Sequence, residues 1–225
     1  MAGGGGAASA MPRQRPSCAS ADAEALEATP RQHQRFAELV AEARPQFGDA
    51  LVHSANSAAM LRLRETHHDM TRPGISLYGY PPPHRDGVVS LRPSLTVKTM
   101  VSQIKRVATG EAVGYGRTWT APVDSMVATL AAGYADGFDR RNDNRGQVLV
   151  NGVLSHRGTG QHGSGRRRRQ RGGRRGPGTE VTLLGPSAAG AVDAVAVAQR
   201  IGIIPNEVLC AVSARVPRIT VRRPA

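Results

Sequence analysis

Leu95-Thr96-Val97-Lys98-Thr99-Met100-Val101-Ser102-Gln103-Ile104 alternates apolar and polar residues over most of its length, the period of a strand with one buried face. It marks a change of grammar along the chain. Downstream, residues 127–130, 148–150 and 181–184 are short apolar runs bounded by turn residues, and each reads as a strand. Residues 192–201 predict one alanine-rich helix, 207–212 a second, and 219–222 a closing strand. Upstream the pattern is different. Gln34-Arg35-Phe36-Ala37-Glu38-Leu39-Val40-Ala41-Glu42-Ala43 places Phe36, Leu39, Val40 and Ala43 at helical spacing, and Pro45 is expected to end that surface helix. Residues 50–54 read as a short buried strand, 58–65 as a helix capped by Ser57, and 74–78 as another strand. Strand-loop-helix order predicts an α/β layer. The boundary between the halves falls in the proline-rich stretch 81–93.

The chain has 225 residues, 40% of them hydrophobic, enough to bury a core in one or two domains. Its formal charge of +13 resembles a nucleic-acid signature. Residues 155–175, however, hold eight arginines and no acid. Removing them leaves +5, which is unremarkable. Lys98 and Lys105 are the only lysines, so any lysine chemistry must use one of those two. Cys18 and Cys210 lack metal-ligand or disulfide-framework spacing and read as free thiols in a reducing compartment. The Gly/Ala-rich opening has no apolar run long enough for a signal or a span. Residues 1–17 read as disordered and low in complexity, and the location as cytoplasmic.

Three tyrosine-glycine signatures punctuate this pattern: Leu77-Tyr78-Gly79-Tyr80, Val113-Gly114-Tyr115-Gly116 and Gly133-Tyr134-Ala135-Asp136-Gly137. With His53-Ser54-Ala55-Asn56-Ser57-Ala58-Ala59, Arg72-Pro73-Gly74-Ile75-Ser76, Val150-Asn151-Gly152 and Arg215-Val216-Pro217-Arg218, they form an ordered set that resembles the alanine racemase family. The resemblance implies an α/β barrel remnant at 18–85, followed by a mainly β C-terminal domain at 90–225. It also implies pyridoxal 5'-phosphate as cofactor, alanine as substrate and a homodimer as the assembly, with no membrane and no nucleic acid as partner.

Racemisation removes a proton from the α-carbon and returns one on the opposite face, so it needs two bases. By resemblance Tyr115 is one of them. A phenol ordinarily loses its proton near pH 10, so such a base needs positive charge or hydrogen-bond donors beside it. An aromatic packed at a strand end is the other reading of Tyr115. The resemblance makes Arg72 the donor to the cofactor's ring nitrogen, and Asn56, Ser57, Gly74 and Ile75 its phosphate-contacting positions. Asn206 stands where the family has a phosphate-contacting tyrosine. Tyr134 would line the substrate entrance, or be a plain turn aromatic. No metal site is expected.

Two departures stand beside these matches. A (β/α)8 barrel takes about 250 residues, and fewer than ninety precede the β half here. The family's lysine motif is absent, so the expectation is a chain inactive on its own. Ser155 to Arg175 replaces an apolar strand containing an R-V-S-M-D stretch. Read from the second base of each codon, residues 155–164 can encode P-I-A-G-R-V-S-M-D-Q, with the family residue allowed at all ten positions. A frame-shifted segment is therefore expected, forming a disordered loop over 155–178 with unpaired edge strands beside it. The alternatives are a functional basic tract that binds polyanions weakly, and a noncatalytic remnant or β-domain interaction module.

Overall fold

The computed structural model describes residues 28–82, 89–157, 162–165, 176–187 and 190–221. The expected disorder at 1–17 and the arginines at 166–175 lie outside the described residues. The chain divides into two compact units, Met1–Leu91 and Arg92–Ala225.

In the first unit, α1 (Ala28–Phe47) runs through Pro45 rather than ending there. Proline removes one amide donor, and the helix stops within a turn, where the Gly48 N–H donates to Arg44 O at 3.0 Å. Leu39 is not part of the buried stripe, being 48% exposed. The half-buried side is His33, Phe36, Val40 and Ala43, because a 3-4-3 spacing keeps residues on one face. Residues 50–54 do not form the expected strand. They are extended but bonded on one side only: Asp69 N–H reaches Val52 O at 3.1 Å and Arg72 N–H reaches Ala55 O at 2.9 Å. One parallel bridge, Asn56 with Arg72, completes the pairing.

The helix that follows, α2 (Ser57–Arg62), is shorter than expected. Its cap is Asn56, not Ser57: Asn56 Oδ1 accepts the Ala59 N–H at 3.0 Å, satisfying one orphan donor of the first turn. A 3-10 turn, Arg64–Thr66, closes the segment. Residues 74–78, expected as a strand, form the single-turn helix α3 (Gly74–Leu77). Tyr78 N–H to Ile75 O and Gly79 N–H to Ser76 O satisfy its end, whereas a strand there would need a flanking partner. One buried cluster of this unit is formed by Ala55, Ala58 and Ala59 with Met60 against them.

The second unit is built from antiparallel strands β1 (Val97–Val107), β2 (Ala112–Val113), β3 (Trp119–Thr120), β4 (Ser125–Leu130), β5 (Gln147–Val150), β6 (Val153–Arg157), β7 (His162–Gly165), β8 (Glu180–Ser187) and β9 (Gly190–Val192). The large sheet runs β1-β4-β7-β6-β5-β8-β9, and β1 pairs with β8 as well. β1 does this by splitting its length. Val97 to Met100 faces β8, and Val101 to Val107 faces β4. Register irregularities at Val97/Lys98 and Val101/Gln103 turn the strand between its partners, as bulges do. Six strands therefore close on themselves, which removes free edges.

Inside lie Val101, Leu130, Val148, Val181 and Leu183. A second cluster, Val107, Val113, Ala121 and Val127, packs under Trp119. The loop expected at 155–178 is overturned in part: β6 pairs with β5 and β7, and β7 pairs with β4. Ladder bonds use peptide groups that any residue but proline supplies, so a changed side-chain set still permits pairing.

The helices α4 (Ala194–Ile201) and α5 (Pro205–Cys210) follow. Asp193 caps α4 by accepting from Val195 N–H and Ala196 N–H at 2.8 and 3.1 Å. The expected closing strand at 219–222 is absent among the described residues; Ile219 and Val221 are 84% and 78% exposed and extended without a partner strand.

Candidate functional site

The first unit gathers five of the expected site residues. The bridge between Asn56 and Arg72 joins the start of α2 to the segment that leads into α3. Ser57 is buried, and its Oγ accepts the Ser76 N–H at 3.3 Å. Gly74 and Ile75 open α3 beside it, and a Cβ added at Gly74 would meet nothing within 4 Å. The Arg72 guanidinium donates from Nη1 to His53 Nδ1. It also donates to His53 O at 3.3 Å and to Ser54 O at 3.4 Å. Below it, Ser54 Oγ donates to Thr66 O at 3.1 Å.

Two side chains that motif spacing does not single out belong to this cluster. His53 steers the arginine. Ser76 Oγ is buried without a hydrogen-bond partner, a cost of about 1–3 kcal/mol that a bound acceptor would relieve. Only the three-dimensional contact between α2 and α3 reveals it, since serine at that position is otherwise an ordinary helix residue.

Tyr115, Tyr134 and Asn206 belong to the second unit. β2 and β3 pair Val113 with Trp119, and the loop between them carries Tyr115. Gly114 and Gly116 take φ of 87° and 71°, left-handed conformations that favour glycine. They hold Tyr115 out at the tip, where it is 94% exposed. The packed-aromatic reading of this residue is therefore not what the fold shows. Asn144 Nδ2 braces the loop by donating to Thr118 O at 3.3 Å.

Tyr134 opens a 3-10 turn, Tyr134–Asp136, and is 71% exposed. Asp136 fixes that turn by accepting the Gly133 N–H at 2.8 Å and pairing with Arg215 Nε at 3.1 Å. Gly137 closes it at φ 99°, and a Cβ there would lie 2.4 Å from Ala211 O. Asn206 is exposed in the first turn of α5.

Both lysines lie on β1 of this unit. Lys98 is ion-paired with Glu180 at 2.9 Å, and Lys105 is exposed. Neither lysine belongs to the unit that holds the Arg72 cluster. A cavity of about 160 Å³ between α4, α5 and β8 is walled by Leu183, Val197, Ile201 and Val208. None of the expected site residues lines it. Among the described residues no helix is long and apolar enough to cross a membrane.

These features define a small helical unit with one parallel bridge, followed in sequence by a closed antiparallel β domain that displays a tyrosine. The chain matches the family model "Alanine racemase, C-terminal domain" over residues 94–159 and 170–220, and "Alanine racemase, N-terminal domain" over 17–82. It belongs to the alanine racemase family. It is 42% identical over 173 residues to the alanine racemase of Carboxydothermus hydrogenoformans, covering 75% of this chain and 47% of that protein. Among solved structures it resembles the Bacillus anthracis alanine racemase with bound L-Ala-P, at a TM-score of 0.79 and 32% identity, covering 92% of this chain and 54% of that one. The Streptomyces lavendulae alanine racemase gives 0.78 and 29%, covering 92% and 56%. The chain thus spans about half the length of the curated relatives it matches. The C-terminal match breaks at 160–169, inside the expected frame-shifted segment.

Proposed function

We propose that this chain carries the tyrosine base and the noncovalent cofactor contacts of a pyridoxal-phosphate-dependent racemase that interconverts L- and D-alanine. The observation that carries the reading is Tyr115, a large aromatic 94% exposed at the tip of a loop shaped by two left-handed glycines. Large aromatics are usually buried for their area, so a side chain displayed this way points to use rather than packing.

The first unit fits the cofactor in part. Ser57, Gly74 and Ile75 would hold its phosphate, with the buried, unpartnered Ser76 Oγ supplying a further hydroxyl. Asn56 is the cap that sets the start of α2 beside them. Arg72, fixed by His53 and Ser54, would donate to the ring nitrogen, and a guanidinium keeps its proton in doing so. The bound cofactor supplies electron withdrawal from the α-carbon. Covalent attachment does not fit the residues of this unit, which holds no lysine; Lys98 and Lys105 both lie on β1. Tyr115 would move a proton at one face only. The chain would therefore be inactive alone and work at the site of a complete, lysine-bearing racemase subunit, in a dimer, in the cytoplasm. Tyr134 would line the approach for alanine, and Asn206 would offer an amide to the cofactor's phosphate.

The test is complementation. The Carboxydothermus enzyme with its matching tyrosine changed to Phe is co-refolded with this chain and assayed for D-alanine. We expect no racemisation and no lysine-bound cofactor absorbance from the chain alone, and restored turnover in the mixture. Turnover by the chain alone, or none in a mixture shown to contain mixed dimers, would reject the reading.

A further inference from the structure

Away from both clusters, α1 and the turn after the Arg64–Thr66 segment bring two histidines together. The His33 and His68 ring centroids are 5.3 Å apart, with planes inclined at 37°. Phe36, one turn along α1 from His33, sets its edge against His68 at 5.4 Å and 75°. His68 takes φ 46°, a backbone state uncommon outside glycine, and that conformation delivers the ring onto α1. His33 Nδ1 is buried and has no hydrogen-bond partner among the described residues.

A tetrahedral ion about 2.0–2.1 Å from one nitrogen of each ring would set the two centroids roughly 5 Å apart. The observed separation matches. Burial, and then the proximity of His33, push the His68 imidazolium pKa down, while Asp69 opposes them. Asp69 adds negative charge beside them. It is held by the Val52 N–H at 2.9 Å and lies 3.7 Å from Arg44. His67 is turned away, with Nε2 on Met60 O at 2.7 Å.

We infer that His33 and His68 form a two-imidazole site for a borderline divalent transition ion of the Zn²⁺, Ni²⁺ or Cu²⁺ class, tying α1 to the turn that follows α2. Water completes the coordination. Among the described residues no group of three or more His, Cys, Asp or Glu side chains is placed to hold a metal, so binding is of the weaker, exchangeable two-ligand kind.

The test uses the untagged full chain with His84, His156 and His162 changed to Gln and both cysteines to Ser. Cu²⁺ is added, and pulsed electron paramagnetic resonance counts the coordinated imidazoles. Two are expected at one equivalent of metal. His33→Gln and His68→Asn should each weaken Cu²⁺ binding at least tenfold and leave one imidazole in the spectrum. Asparagine tolerates a left-handed backbone, so the second variant preserves the turn. One imidazole or none in the parent, or unchanged affinity in both variants, overturns the site. A parent spectrum with one imidazole or none overturns the site even where a variant fails to fold.

Discussion

The Arg72 guanidinium donates to His53 Nδ1 and to the carbonyl of that same residue, the latter at 3.3 Å. A further donation, to Ser54 O at 3.4 Å, makes the arginine a clamp across the extended segment before α2. Lysine carries three donors on one nitrogen and cannot span these acceptors as a planar fork does. Arg72→Lys should therefore destabilise the first unit by about 1–3 kcal/mol. Hydrogen exchange at the 53–59 amides measures it; unchanged protection would refute the clamp.

Tyr115 makes the opposite case. At 94% exposure it contributes little packing, so Tyr115→Phe should change stability by no more than about 0.5 kcal/mol. In the complementation assay the same change should cost about 10²–10⁴ in turnover. A Phe variant that complements as well as the parent would remove the phenol from the chemistry.

Gly137 closes the Tyr134 turn at φ 99°, with Ala211 O 2.4 Å from where a Cβ would stand. Backbone atoms cannot give way as a flexible side chain does. Gly137→Ala should cost more than about 3 kcal/mol, read by urea unfolding of the full chain. Gly74→Ala, in open space, is the matched control and should stay within about 1 kcal/mol. Equal effects at the two positions would contradict the packing described for the turn.

Asp124 accepts hydrogen bonds from the Thr109 N–H and hydroxyl, both at 3.0 Å, and from Arg106 at 2.9 Å. The Thr109 amide first, then Arg106, hold its carboxyl below the ordinary range. A depressed folded pKa means the unfolded chain binds the proton more readily. The stabilisation is thus complete above the ordinary carboxylate range and fades as pH falls through the folded value. Melting temperatures from about pH 5 down to about pH 2 should fall less steeply in Asp124→Asn than in the parent. Parallel curves would show that this contact is not linked to folding.

The break in the family match at 160–169 contains β7, which already pairs through its backbone with β4 and β6. Replacing residues 155–164 by P-I-A-G-R-V-S-M-D-Q should raise the unfolding midpoint, since each large apolar side chain buried adds roughly 1.5–3 kcal/mol. The gene should carry codons compatible with that overlapping peptide. Incompatible codons would end the frame-shift account.

Much of the fold could be read from residue order alone. The alternation at 95–104 marks β1, the runs at 127–130, 148–150 and 181–184 mark β4, β5 and β8, and the glycines around Tyr115 mark a tight loop. These are local signals, in which periodicity and φ preference act within a few residues. The failures share a cause. Residues 50–54, 74–78 and 219–222 are four- or five-residue apolar segments, too short for periodicity to separate strand from turn. Whether each becomes a strand depends on a partner far away in the chain. The closing of β1 on β8, the lodging of Ser57 against Ser76, and the meeting of His33 with His68 were likewise decided by the tertiary structure. Each joins groups whose separation along the chain carries no periodic signal, and only packing and hydrogen-bond satisfaction select such contacts.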